Sequence, residues 1–327
     1  MSTNSPRTPQ QHLGSPFGAR STAKDVLAGI DLAGKTAIVT GGYSGLGLEA
    51  VRALHDGGAA VVVPARRPEV AAQTLSEAGL DDVEVASLDL ADQGSVQAFA
   101  ESFLGSGRSL DILINNAAVM ACPETRVGPG WEAQFATNHL GHYALTNRLW
   151  PALTAKPGAR VVALSSTGHK LSPIRFEDPQ FSTGYDKWKA YGQAKTANAL
   201  FAIELDRLGA DHGVRAFAVH PGGIMTELQR HLPVEEMRAA GWINEQGKVN
   251  EIFKSPAQGA ATSVWAATSP LLEGLGGVYC EDCDVAEPTD LDSPTARYAG
   301  VDAHAIDADA AQRLWQLSAE LTGVNAF

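Results

Sequence analysis

The chain has 327 residues, enough for one large α/β domain or two ordinary ones. A hydrophobic content of 44% and a charged content of 19% match a soluble globular protein. The formal net charge of −12 disfavours nucleic acid and anionic membrane as partners, since both attract basic patches, and no apolar run is long enough to span a bilayer.

Taken in chain order, residues 1–20 are rich in Ser, Pro, Gln and Thr and lack the apolar core of a signal peptide, so they are expected to be a disordered tail. Residues 21–327 are expected to form a single domain, opened by a short helix over 23–30. From Lys35 onward, apolar runs of strand length alternate with amphipathic stretches of helix length. The strand runs are 36–40, 60–65, 83–88, 111–115, 160–165, 214–219 and 276–280. Runs such as IVT, VVV and ILI do not alternate with polar residues, so both of their faces are buried. That pattern predicts a seven-stranded parallel sheet flanked by helices on both faces, a doubly wound α/β fold of Rossmann type. Pro64 sits awkwardly in such a sheet, where a central strand needs its backbone donor, but it lies near the end of its run. A C-terminal helix is predicted over 308–321.

The stretch Thr40-Gly41-Gly42-Tyr43-Ser44-Gly45-Leu46-Gly47 follows the first strand and opens a helix over 46–55. Its glycines permit a tight turn and let backbone N–H groups approach a pyrophosphate, with the partial positive charge of a helix N-terminus behind them. The second strand ends in Ala65-Arg66-Arg67. A carboxylate there would bind a ribose 2′-hydroxyl, whereas arginine suits the 2′-phosphate of NADP(H). Downstream, Tyr191 and Lys195 lie four apart on a predicted helix and share one face. A phenol with a pKa of roughly 10 shuttles protons poorly at neutral pH, and a neighbouring ammonium is expected to lower that value. The pair is then a proton donor and acceptor for a carbonyl or an alcohol.

The three cysteines, Cys122, Cys280 and Cys283, are too few and odd in number for a disulfide framework and fit a reducing cytoplasm. Cys280 and Cys283 have C-x-x-C spacing but do not open a helix, and no second pair completes a zinc site, so inert thiols and no metal are expected. His139, His142, His169 and His220 are read as packing or pocket-rim residues, and Ser165 as structural.

Together these features resemble the short-chain dehydrogenase/reductase family over residues 34–285. The matching pieces are TGGYSGLG at 40–47, Asp89-Leu90, Asn115-Asn116-Ala117-Ala118, Asn138 in TNHLGHY, Ser165-Ser166, Tyr191 with Lys195, and Pro221-Gly222. Two departures are small: Ala118 stands where the family commonly has glycine, and Ser44 stands where NADP-using members often carry a basic residue. The NADP(H) preference therefore rests on Arg66 and Arg67. The long gap between Ser166 and Tyr191 is similar to the branch of retinol dehydrogenases, WW-domain oxidoreductases and protochlorophyllide reductase, which favours NADP(H).

The resemblance implies that Tyr191 is the general acid/base, that Lys195 lowers its pKa and holds the nicotinamide ribose, that Ser166 hydrogen-bonds the substrate oxygen, and that Asn138 positions a water linking Lys195 to solvent. It implies cofactor contacts from Gly41, Tyr43, Ser44, Gly45, Leu46, Gly47, Arg66, Arg67, Asp89, Leu90, Asn116, Ala117, Tyr191, Lys195, Pro221, Gly222, Ile224 and Thr226. The substrate side is expected from segments 168–187 and 223–255, whose apolar residues (Leu171, Ile174, Phe176, Phe181 and Tyr185; Ile224, Met225, Leu228, Leu232, Met237, Trp242, Ile243 and Phe253) suggest a small hydrophobic ketone, aldehyde or secondary alcohol. About half of them are expected to be packing residues instead. Reduction of a carbon–carbon double bond is the alternative chemistry. A non-catalytic NADP(H) sensor is the alternative of another class, and the intact Ser/Tyr/Lys set argues against it. Many relatives pair through the helices bearing Asn138 and Tyr191, so a homo-oligomer is one expectation, with the insert placed to obstruct it.

Overall fold

The computed structural model describes residues 8–327. In chain order the strands are β1 Thr36–Val39, β2 Ala60–Ala65, β3 Glu84–Ser87, β4 Ile112–Asn115, β5 Arg126–Val127, β6 Trp131–Glu132, β7 Ala159–Leu164, β8 Val214–His220, β9 Val278–Glu281 and β10 Asp284–Val285. One sheet has the order β10-β9-β8-β7-β4-β1-β2-β3, and β5 with β6 forms a separate antiparallel pair. The seven expected strands are present and parallel. The sheet nonetheless has eight strands, because β10 turns back antiparallel onto β9. Its turn places Asp282 and Cys283 at φ of 49° and 60°. Tight hairpins of this kind favour Asn-Gly, so the sequence carried no signal for it.

Both faces of the sheet are covered, and consecutive residues divide between them. Val39, Val61, Val63 and Ile114 pack with Val51, Leu54, Val264 and Trp265 of helices Gly45–Asp56 and Pro256–Thr268. Ile38, Val62 and Leu113 pack on the other side with Phe99, Leu145 and Leu205 of helices Gln93–Gly105, Gly141–Arg148 and Lys187–Gly209. Pro64 loses no ladder bond. Ala60 donates to Lys35 on the β1 side and Ala65 accepts from Leu88 on the β3 side, so Pro64 faces β1, beyond the last β1 partner, Val62. Strand order reverses between β1 and β4, the position where open α/β sheets hold ligands beyond their carboxyl ends.

The disordered-tail expectation is corrected for residues 8–20; residues 1–7 lie outside the described residues. Gln10 mimics an additional strand. Its Nε2 donates to the carbonyls of Tyr279 (2.7 Å) and Ala286 (2.6 Å), and its Oε1 accepts from Tyr279 N (3.0 Å). Asp284 accepts the N–H groups of Leu13, Gly14 and Ser15. Polar composition suggested disorder, but these polar groups satisfy a sheet edge. The helix bearing Tyr191 is likewise covered from within the chain. Helix Ala308–Thr322 places Leu314 with Leu200 and Ile203, beside Trp131, Phe135 and Ile174. A buried leucine of this kind contributes about 1.5–3 kcal/mol. The C-terminal helix and Ile174 thus pack against the helix that bears Tyr191. No helix among the described residues is long and apolar enough to cross a membrane.

Candidate active site

The Gly-rich turn is set by close approach. A Cβ at Gly47 would lie 2.2 Å from the Gly41 carbonyl oxygen, and Gly41 itself has φ of +66°. Thr40 ties this turn to the end of β4. Its Oγ1 accepts from Asn116 N (2.9 Å) and Ala117 N (3.0 Å), and Asn116 Nδ2 donates to the Thr40 carbonyl (2.8 Å). The Thr40 hydroxyl also reaches His142 Nε2 at 2.8 Å, and His142 Nδ1 lies 3.0 Å from the Asn138 carbonyl. The carbonyl can only accept, so Nδ1 carries the hydrogen and Thr40 donates to Nε2. His142, read as packing, therefore links the turn to the helix bearing Asn138.

A cleft of about 1300 Å³ opens along the carboxyl ends of the strands, and every residue named above as a cofactor contact lies on its wall, as does Ser166. Arg66 and Arg67 are exposed there, and neither has an ion-pair partner among the described residues.

Ser166 follows β7 with an extended backbone and caps the short turn Thr167–Leu171, its Oγ accepting from Gly168 N at 3.0 Å. That contact occupies an acceptor position and leaves the hydroxyl hydrogen to be donated elsewhere. Helix Lys187–Gly209 starts at Asp186, whose carboxylate accepts from Trp188 N and Lys189 N. One turn in, the Tyr191 ring packs directly on Gly168, where a Cβ would lie 2.6 Å from Tyr191 Cε1. Lys195 Nζ donates to the Leu164 carbonyl at 2.9 Å and lies 5.6 Å from the Tyr191 ring centre. Ser165 holds the same helix by donating to the Lys195 carbonyl at 2.7 Å.

Asn138 stands apart from the wall. It is fully buried in the π-helical turn Ala136–Leu140, and its side chain clamps Val119 at both N (2.8 Å) and O (2.9 Å). Such turns recur at functional sites.

A model of the short chain dehydrogenase family matches residues 35–236. The chain belongs to this family. It is 46% identical over 298 residues to the "Probable oxidoreductase" of Streptomyces lividans, covering 89% of this chain and 98% of the relative. It is 38% identical over 299 residues to retinol dehydrogenase 12 of Mus musculus, covering 90% and 88%. A solved structure from Mycobacterium Paratuberculosis matches with a TM-score of 0.72 at 33% identity, covering 94% of this chain and 99% of that one. The Pseudomonas aeruginosa RhlG/NADP active-site complex matches with a TM-score of 0.58 at 25% identity, covering 77% and 95%. The chain is thus an oxidoreductase of the short-chain dehydrogenase family.

The electrostatics of this dehydrogenase site differ from the expected ones. Burial pushes the Tyr191 phenol up to about 12 against the downward pull of its hydrogen bond with Ser166, and burial brings Lys195 down to about 7. The expected lowering of Tyr191 by Lys195 does not appear, because desolvation dominates and the ammonium is directed at Leu164. Of the apolar substrate-side residues, Leu171, Ile224, Leu228, Trp242 and Phe253 line the cleft. Ile174 and Phe176 pack with the C-terminal helix, and Tyr185 donates to the Cys122 carbonyl. All three cysteines are buried thiols.

The predicted substrate-side segment 168–187 includes Gly168, which lines the cleft, but sequence reasoning missed Trp188, Arg20 and the parts of 289–302 that lie on the cleft wall. Trp188 lies three residues before Tyr191 on the same helix, a spacing that was a usable signal. Arg20 and the 289–302 residues arrive through long-range packing and left none.

Proposed function

We propose that the protein is an NADP(H)-dependent reductase of hydrophobic ketones or aldehydes. The observation that carries this reading is that Ser166, Tyr191 and Lys195 meet on the same cleft that the Gly-rich turn and Arg66 line. The residues suit the dinucleotide. The Gly41–Gly47 approach leaves backbone N–H groups open to a pyrophosphate, and Arg66 and Arg67 offer exposed guanidinium groups where a 2′-phosphate would lie. Thr226, against which Gly45 packs, and Ile224 would close the other side. The Pseudomonas aeruginosa RhlG/NADP active-site complex, to which the chain is similar, supports the same choice. The bound nicotinamide supplies a hydride to the carbonyl carbon.

The chain handles the charge and the proton. As negative charge develops on the substrate oxygen, the Ser166 hydroxyl donates to it, held in place by Gly168 N–H. Tyr191 then gives its proton to that oxygen. A phenol held at about 12 by burial is protonated at neutral pH, which suits an acid and therefore the reductive direction. Lys195 in its ammonium form would stabilise the resulting phenolate and hold the ribose. Trp188, Trp242 and Phe253 form edge-to-face contacts and give the substrate an aromatic wall. Three unpaired thiols support a reducing, cytoplasmic setting.

The test is NADPH oxidation across a panel of ketones, aldehydes and enones. Turnover with carbonyls supports the reading, turnover with enones alone replaces it with double-bond reduction, and NADPH binding without any turnover rejects catalysis.

A further inference from the structure

His169 is wholly buried next to Ser166, and the proton transfer described above does not use it. Its ring is held at both nitrogens. Nδ1 lies 2.7 Å from the Ser166 carbonyl, which can only accept, so Nδ1 carries the hydrogen. Nε2 accepts the backbone N–H of Asp302 at 3.1 Å. Together the two contacts select one neutral tautomer, and burial keeps it neutral by holding the imidazole down to about 4. The His169 carbonyl accepts from Thr196 Oγ1 (3.1 Å), on the helix that carries Tyr191 and Lys195. The neighbouring Lys170 Nζ reaches Asp302 Oδ1 at 2.9 Å, and Thr289 Oγ1 donates to that same oxygen at 2.7 Å.

Thr289 and Asp302 bracket a segment that brings Leu291, Arg297 and Tyr298 to the cleft wall. Leu291 and Tyr298 are among the most exposed large apolar residues of the protein, at 85% and 55%. The segment therefore has little packing of its own and depends on its two ends. At the other nitrogen, rotation of the Ser166 peptide would carry Thr167 and Gly168 with it, and Gly168 N–H is what orients the Ser166 hydroxyl.

We propose that His169 is a positioning residue that couples the Ser166 turn to the 289–302 wall of the cleft. One ring nitrogen fixes the hydroxyl that meets the substrate oxygen, and the other fixes the wall against which the substrate packs. The first half rests on the role given to Ser166 above.

Two substitutions separate the halves. An asparagine amide reaches the position of Nδ1 and can still donate to the Ser166 carbonyl, whereas a glutamine amide reaches that of Nε2 and can still accept from Asp302. The full chain carrying His169→Asn or His169→Gln is compared with wild type by hydrogen exchange of peptides covering 164–172 and 289–302, by NADPH fluorescence titration, and by kcat and KM with 4-nitrobenzaldehyde.

His169→Gln is expected to loosen 164–172 and to lower kcat roughly tenfold, the scale of one hydrogen bond, with KM little changed. His169→Asn is expected to loosen 289–302 and to raise KM several-fold at near-normal kcat. NADPH affinity stays the same in both. In a Ser166→Ala background, His169→Gln is expected to cost no further kcat. Equal loosening of both segments by both variants overturns the coupling, and multiplicative losses with Ser166→Ala overturn the route through Ser166. Absence of wild-type turnover with the aldehyde counts against the proposed reaction, while the exchange pattern still decides the coupling. Independently of any variant, ¹⁵N ring shifts of His169 should report hydrogen on Nδ1 and none on Nε2; the opposite tautomer overturns the proposal.

Discussion

In the Gly-rich turn, Gly41 and Gly47 meet within one strand–turn–helix unit, six residues apart. At the substrate end, Arg20 donates to the carbonyls of Phe253 and Glu251, more than two hundred residues away. The two walls of one cleft are thus built by different means. The proposed cofactor wall consists mainly of turns that β1, β2, β3 and β4 deliver at their carboxyl ends; the Gly-rich turn is shaped by its own glycines and tied to the end of β4 through Thr40. The proposed substrate wall is collected from the N-terminal strap, the turn 167–171, the segment 228–254 and the segment 289–302, which long-range bonds join: Arg20 to Glu251 and Phe253, His169 to Thr196 and to Asp302. Changes on the first wall should act locally on cofactor binding, and changes on the second should act on turnover and substrate affinity.

The largest effect is expected where the walls meet. Tyr191→Phe should lower kcat by roughly 10²–10⁴ through loss of the general acid, while NADPH binding by fluorescence titration is retained. Loss of binding together with rate would mean that Tyr191 belongs to the cofactor wall as much as to the chemistry.

A matched pair of glycine substitutions sharpens the contrast. Gly168→Ala places a methyl 2.6 Å from the Tyr191 ring and should displace it, lowering kcat by about 10–10²-fold with NADPH affinity kept. Gly47→Ala places a methyl 2.2 Å from the Gly41 carbonyl and should weaken NADPH binding first. Similar KM and kcat changes in both variants would dissolve the distinction between the walls.

Smaller effects are expected from the strap. Gln10→Ala removes three hydrogen bonds, two to Tyr279 of β9 and one to Ala286, and should cost about 1–3 kcal/mol in urea unfolding, without altering NADPH binding. Arg20→Ala should raise KM for the carbonyl and leave NADPH affinity unchanged. If Arg20→Ala weakens NADPH binding instead, the strap belongs functionally to the cofactor wall.

The gentlest probe is pH. Burial holds His139 and His220 down to about 3 and His142 and His169 down to about 4. In the unfolded chain they titrate near 6.5, so between that value and the folded values the unfolded state binds more protons. Their stabilisation is full above about 6.5 and is lost as pH falls toward 4. Unfolding midpoints should drop steadily from pH 7 to pH 5, and His139→Gln should flatten the slope. A flat profile over that range would show that these rings are accessible to water.

The same contrast explains what could be read from the sequence. Non-alternating runs marked β1, β2 and β4 because burial on both faces removes polar residues, and the Gly-rich turn was legible because its geometry excludes side chains within one short stretch. β10 was not legible, since its turn uses Asp282 and Cys283 where glycine would have announced it. The strap was misread because its polar residues are spent on the backbone of β9 rather than on water. The shifts at Tyr191 and Lys195 depended on burial by segments that meet only in the folded chain.

The most direct test of the account is the ratio of kcat/KM for NADPH to that for NADH, in wild type and in Arg66→Ala. Arg66 is exposed on the cleft wall, next to the buried Ala65. A charged hydrogen bond to a 2′-phosphate contributes on the order of 1.5–3 kcal/mol, so wild type should prefer NADPH by about ten- to a hundredfold. Added salt should narrow that gap. Arg66→Ala should lower efficiency with NADPH and leave NADH nearly untouched. Equal use of both cofactors by wild type, or equal losses with both in Arg66→Ala, would contradict the assignment.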